Sequence, residues 1–149
     1  MMRQRDIRIV VAGKFIGSIT KRGNKTKAVS IFDTFLLNLK IRFGVSPLDF
    51  LTTVFDVARP KVFLVTKKIA GLSHKIPAPV TKVKSYTTVI KWFLSASRKR
   101  KSAGNIPTAI YEEFIDIYTN SANQVLKKRD EYHRLARLNK PFLRYHKFL

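Results

Sequence analysis

The sequence predicts a mainly α fold: a compact bundle of about six helices with one projecting β-hairpin. Three observations predict it. Apolar residues recur at helical spacing up to Ala58 and again from Val89 onward. Between Lys61 and Val80 that period gives way to β-formers, a glycine turn and prolines. A hydrophobic content of 45% in 149 residues suits one core, so residues 1–149 are expected to form one domain, with the hairpin (61–80) inside it.

The first helix is expected to carry Ile9, Ala12, Phe15, Ile16 and Ile19 on its inward face, ending near the Lys21–Lys25 turn. The second starts at about Thr26, buries Val29, Phe32, Leu36, Leu39 and Phe43, and stops at Gly44, a residue able to take the left-handed cap. Ser46-Pro47-Leu48-Asp49 opens the third, with Ser46 as N-cap and Pro47 at the first helical position. Its stripe is Leu48, Leu51, Val54, Phe55 and Ala58, closed by Pro60.

Lys61–Lys68 and His74–Val80 are then two extended runs joined by a turn over Ile69–Ser73. Pro77 and Pro79 cannot donate to a ladder, so the returning strand needs a free edge. A fourth helix is expected over Ser85–Lys101, with Val89, Ile90, Phe93, Leu94 and Ser97 inward and Trp92 in or half in the core. Gly104 ends it. Pro107 begins a fifth helix carrying Ile110, Phe114, Ile117 and Tyr118, and its acids Glu112, Glu113 and Asp116 should point away from a polyanion. A sixth starts at about Ala122 with Val125, Tyr132, Leu135 and Leu138, before a Pro141–Tyr145 tail.

Charge carries the functional reading. The chain has 30 Lys and Arg against 9 Asp and Glu, a net charge of +21. From Val57 to Tyr111 there is no acid at all, while twelve of the 55 positions are Lys or Arg. Solubility needs a net charge of only about 2–8 for a small domain. So large a one-signed surplus on a foldable chain points to a nucleic-acid backbone as partner. The candidate contacts are Arg3 and Arg5; Lys21, Arg22, Lys25 and Lys27; Arg59 and Lys61; Lys67, Lys68 and Lys75 of the hairpin; Lys91; Arg98, Lys99, Arg100 and Lys101; and Lys127, Lys128, Arg129 and Arg134. Such groups grip phosphates, which positions the protein without reading bases.

Enzyme chemistry finds no constellation. With no cysteine there is no thiolate site, and His74, His133 and His146 lack metal-ligand spacing, so no metal, cofactor or small-molecule substrate is expected. Phosphate-loop and serine-elbow patterns are absent. No apolar run reaches the roughly 18–20 residues that a spanning helix needs, and no membrane partner is expected. Arg3, Arg5 and Arg8 give the start a transit-peptide flavour, but Asp6 interrupts it and the apolar spacing runs on, so mature structure is the expectation.

Three ordered motifs carry a resemblance. They are Arg59-Pro60 followed by the Gly71 hairpin and Ile76-Pro77; Lys91-Trp92-Phe93-Leu94-Ser95-Ala96-Ser97-Arg98-Lys99-Arg100; and Lys127-Lys128-Arg129-Asp130-Glu131-Tyr132-His133-Arg134-Leu135-Ala136 with Asn139-Lys140-Pro141-Phe142. From about Phe15 onward the chain resembles small-subunit ribosomal protein seven. The resemblance implies six helices and a projecting hairpin in the head of the small subunit, bound to the 3′ major domain of its rRNA and helping to nucleate head assembly. It implies exit-site tRNA and mRNA near Lys67, Lys68 and Lys75, head and platform proteins as neighbours, and a structural role for His133. Bacterial relatives carry a longer basic arm before the first helix; here Met1–Lys14 stands in its place. Divergence together with heavy Lys, Ile and Phe usage leads us to expect an organellar ribosome, in the mitochondrial matrix first, with a plastid or bacterial cytoplasm as alternatives. The rival reading is a DNA-architectural protein with a basic β-arm, which would be dimeric.

Overall fold

The computed structural model describes residues 4–69, 71–100, 105–119 and 123–148. In chain order these form α1 (Gln4–Ile19), α2 (Lys25–Phe43), α3 (Pro47–Ala58), β1 (Val62–Ile69), β2 (Leu72–Pro79), α4 (Lys82–Lys99), α5 (Ile106–Tyr118), α6 (Gln124–Leu138) and a C-terminal 3₁₀ helix (Lys140–Phe148). The mainly helical fold with a two-stranded antiparallel hairpin agrees with the sequence reading.

Local chemistry sets the boundaries. Asn24 caps α2 by accepting the Lys27 N–H at 3.3 Å on its side-chain oxygen. Gly44 closes the helix in the left-handed region at φ 64°, its N–H donating to the Lys40 carbonyl at 2.9 Å. Pro47 and Pro107 occupy first turns, where a missing N–H costs nothing. Ser46 takes the N-cap position of α3 but makes no side-chain bond. Instead Asp49, in the first turn, holds Arg8 of α1 in an ion pair. Asn123 starts α6, accepting the Val125 N–H at 2.6 Å.

The core is a connected set of phenylalanines drawn from five helices. Phe15 of α1 lies 5.0 Å from Phe32, 5.7 Å from Phe35, 6.3 Å from Phe55 and 5.8 Å from Phe93, ring centre to ring centre. Phe114 of α5 closes the set, 5.5 Å from Phe35 and 5.4 Å from Phe50. Truncating a buried phenylalanine costs about 3–5 kcal/mol, so Phe15 is the keystone of the bundle. The sixth helix joins from one side through Val125 and Leu126, and through Tyr132, 5.1 Å from Trp92. Trp92 is half-buried there.

Several expectations need correction. Ile9 faces solvent and Val11 fills the inward position, because the apolar run Ile9–Ala12 leaves the helix phase open and packing selects Val11-Phe15-Ile19. Leu138 is exposed at the end of α6. The turn is tighter than Ile69–Ser73: Ile69 pairs with Leu72 and Lys68 with Ser73, and Gly71 provides the left-handed residue at φ 83°. Helix α4 begins at Lys82, three residues before Ser85. Gly104 and Ala122, the expected helix boundaries, lie outside the described residues.

The hairpin's two faces differ. Phe63, Val65, Lys67, His74, Ile76 and Ala78 share one face by register. Apart from exposed Val65, that face is covered: Phe63 meets Tyr132 of α6 at 6.2 Å, and His74 lies 4.8 Å from Phe142 and 6.0 Å from Tyr145 of the 3₁₀ helix. The Pro141–Tyr145 tail is therefore a support for the hairpin. Thr66, Lys68, Ser73 and Lys75 share the other face and are exposed, whereas Leu64 and Pro77 on that same face are half-buried and buried. Pro77 and Pro79 are two residues apart, so their missing donors fall on the same strand edge, as a two-stranded sheet allows.

Candidate nucleic-acid interface

Elementary electrostatics divides the cations into two groups. Among the described residues, Arg8, Arg59, Arg100 and Arg129 make ion pairs that together hold Asp49, Asp56, Glu112, Glu113, Asp116 and Asp130. Lys21, Lys25, Lys27, Lys61, Lys68, Lys75, Lys91, Lys99 and Lys127 are exposed and enter no ion pair among those residues. The guanidinium fork matches carboxylate and phosphate alike, so the neighbours of each cation, not its residue type, decide which group it joins.

The internal arginines are tied down. Arg59 holds Asp56 at 2.6 Å and donates to the Ser85 hydroxyl at 3.3 Å, its guanidinium lying 5.4 Å from the centre of the Tyr86 ring. Burial, and then the adjacent Asp56, push the Tyr86 hydroxyl well above the usual phenol range. Arg129 bonds Asp130 at 2.7 Å and the Val57 carbonyl at 2.7 Å, which fastens α6 to the end of α3. Arg100 sits among Glu112 at 3.5 Å, Glu113 at 3.5 Å and Asp116. Here the acidic residues of α5 do not turn away from the basic cluster; they enclose one member of it. Glu113 is buried, which raises its carboxyl above the usual range, while the Asn123 amide at 2.7 Å and Arg100 oppose the rise.

The outward cations converge. The α1–α2 turn places Arg22 and Gly23 in the left-handed region, at φ 52° and 74°, and so folds Lys21 and Arg22 back beside the end of α4. Arg98 donates to the Ser18 carbonyl at 3.0 Å across that junction. The result is a groove of about 710 Å³ with Lys21, Arg22, Lys27, Arg98 and the ion-paired Arg100 on its walls and Ala28, Ile31, Leu94 and Ile110 among its lining. Two basic clusters roughly seventy residues apart in sequence thus share one site.

A second concentration lies at the base of the hairpin. The Lys61 backbone N–H donates to His133 Nε2 at 3.1 Å, so that imidazole is neutral and carries its proton on Nδ1. Burial first, and Arg129 next, hold the His133 pKa below the ordinary value, consistent with that bond. Lys84 extends over the Phe63 ring at 5.5 Å beside this joint. Lys82 and Lys84 of α4 count toward the basic surplus but are not among the contacts expected from the sequence, which starts this helix at Ser85; Thr81 at the cap position is the signal that finds them. Helices α2 and α4 each begin with a lysine and have no acid in the first turn, so cations reinforce the positive helix end where an anion would be welcome.

The remaining candidates are placed as follows. Lys67 is half-buried on the face that meets α6 and the 3₁₀ helix, whereas Lys68 and Lys75 are exposed on the other. Lys91 and Lys99 are exposed on α4; Lys127 and Arg134 are exposed on α6, with Lys128 half-buried. Arg3, Lys101 and the side chain of Arg5 lie outside the described residues. Among the described residues no three His, Cys, Asp or Glu side chains group as metal ligands would, and no helix is long and apolar enough to cross a membrane.

Residues 2–140 match the family model described as Ribosomal protein S7p/S5e. The chain is 26% identical to the small ribosomal subunit protein uS7 of Orientia tsutsugamushi (strain Boryong), over 90% of this chain and 77% of that one. It is 30% identical to uS7 of Baumannia cicadellinicola and 30% identical to uS7c of Euglena gracilis, in both cases over 89% of this chain and 83% of the relative.

Proposed function

Because the chain belongs to the ribosomal protein S7p/S5e family, whose members are structural ribosomal proteins and not enzymes, we propose that its exposed lysines and Arg98 dock it on small-subunit rRNA. Its place is then the ribosome, its partners rRNA and ribosomal proteins. The finer assignment is the 3′ major domain of the rRNA, where the helical body clamps adjoining RNA helices and helps to nucleate the subunit head. The mechanism is polyanion neutralisation by a preformed scaffold, which lowers the repulsion opposing close packing of RNA helices.

One observation carries this reading: the groove gathers Lys21, Arg22, Lys27 and Arg98, cations without an ion-pair partner among the described residues, from two distant chain segments. Folding them together costs repulsion that only an external anion offsets. Arg59, Arg100 and Arg129 support the scaffold, and the direct contacts fall to the lysines, Arg22, Arg98 and Arg134. The hairpin face with exposed Lys68 and Lys75 is the candidate approach to exit-site tRNA and mRNA, and α6 the candidate meeting place with platform protein. An organellar ribosome, mitochondrial first, fits the heavy Lys, Ile and Phe usage; bacterial and Euglena relatives match at similar identity.

The test is co-sedimentation with small subunits followed by crosslinking. The expected product joins the groove residues to the large 3′ rRNA domain. Preferential binding to duplex DNA by a stable free dimer would instead favour the architectural reading.

A further inference from the structure

Helix α2 has a face that neither the core nor the groove uses. Thr26, Ser30, Asp33, Leu37 and Ile41 follow one another at three- and four-residue steps and so form one stripe, about 22 Å long at 1.5 Å per residue. The opposite stripe, Ala28-Phe32-Phe35-Leu39, is buried. On the outward stripe Leu37 is 56% exposed and Ile41 74%, and the depression between Thr26 and Leu37 is shallow. From Ala28 to Leu39 there is no Lys or Arg, although 30 of the chain's 149 residues are cationic. Asp33 is exposed and enters no ion pair among the described residues.

We infer that this face docks an amphipathic helix of a neighbouring protein, with its apolar side on Leu37 and Ile41 and a lysine or arginine against Asp33. Charge selects the occupant. RNA needs cations where its phosphates lie, and this stripe offers a carboxylate in their place. A second copy of the chain would bring one +21 body against another. A helix with a basic residue beside an apolar ridge satisfies both features, because it covers the two aliphatic side chains and neutralises the carboxylate. The inference rests on the chain's place in a ribonucleoprotein particle, where a neighbouring protein is at hand.

The test uses the full chain, carrying the photoreactive residue benzoylphenylalanine at position 37 or 41, in assembled small subunits. The expected adduct from both positions is the same stretch of one other protein, helical, amphipathic and bearing Lys or Arg. Asp33→Lys should lower its yield by about tenfold through like-charge repulsion, and Asp33→Glu should preserve it. An adduct with rRNA, an adduct with a second copy, no adduct, or a yield indifferent to Asp33→Lys would each overturn the inference. The same probe at position 27 reports separately on the groove. An rRNA adduct there leaves the rRNA reading standing whatever α2 does, and its absence counts against that reading alone.

Discussion

Arg98 and Arg100 stand two residues apart in one basic run and both line the groove, yet they meet opposite kinds of neighbour. Arg98 reaches across to a carbonyl of α1 and leaves its charge unbalanced on the groove wall. Arg100 turns toward α5 and is enclosed by three carboxylates. The difference teaches that a charge run is not one functional unit. Each turn of helix presents successive residues to different neighbours, and the neighbour decides whether a cation stabilises the fold or serves a partner.

Breaking the enclosed side should have the largest effect. Arg100→Met leaves Glu113 buried without its counter-charge and is expected to cost about 2–4 kcal/mol of stability, measured by urea unfolding. Adding Glu113→Gln should recover part of the loss. Equal stability of Arg100→Met and the parent would mean that the carboxylate cluster needs no cation.

On the open side the same operation should leave the fold nearly untouched. Arg98→Ala is expected to change stability by no more than about 1 kcal/mol. It should weaken rRNA binding uniformly across sequences and reduce the salt slope by about one unit. A slope unchanged in Arg98→Ala would remove this residue from the contacts.

A smaller effect concerns the hairpin base, the other place where cations gather. His133 has a depressed pKa in the fold, so below its ordinary value of 6.5 the unfolded chain takes up a proton before the folded one does. The His133 contribution is therefore full above about 6.5 and declines as pH falls toward the depressed value. Glu113 acts with the opposite sign: its raised pKa gives a contribution that is full below 4.5 and lost as pH rises through the raised value. Urea titrations between neutrality and mild acid should show the His133 decline, and His133→Asn should flatten it. The loss should appear first in amide exchange at Lys61, whose N–H the imidazole accepts.

Much of the fold was legible because its punctuation is local. Gly44, Pro47, Pro107 and Gly71 act through their own backbone preferences, and the phenylalanine stripes have a clear period. The phase of α1 was not legible: four consecutive apolar residues allow more than one inward face, and only packing against Phe32, Phe35, Phe55 and Phe93 fixes it. In the candidate site, the cationic clusters could be read, but their sorting could not. The carboxylates that capture Arg100 lie 12 to 16 residues away on another helix, and the carbonyl that holds Arg98 lies 80 residues away. No local pattern announces such partners. The bond from Lys61 to His133, 72 residues apart, was hidden for the same reason.

The most direct test of the central claim is the salt dependence of binding to the isolated 3′ domain of small-subunit rRNA, for the parent chain and for Lys21→Ala/Lys27→Ala/Arg98→Ala. If the groove docks RNA, removing three phosphate contacts should lower the slope of log affinity against log salt by roughly two to three units, with the fold intact by circular dichroism. An unchanged slope in a folded triple variant would contradict the account.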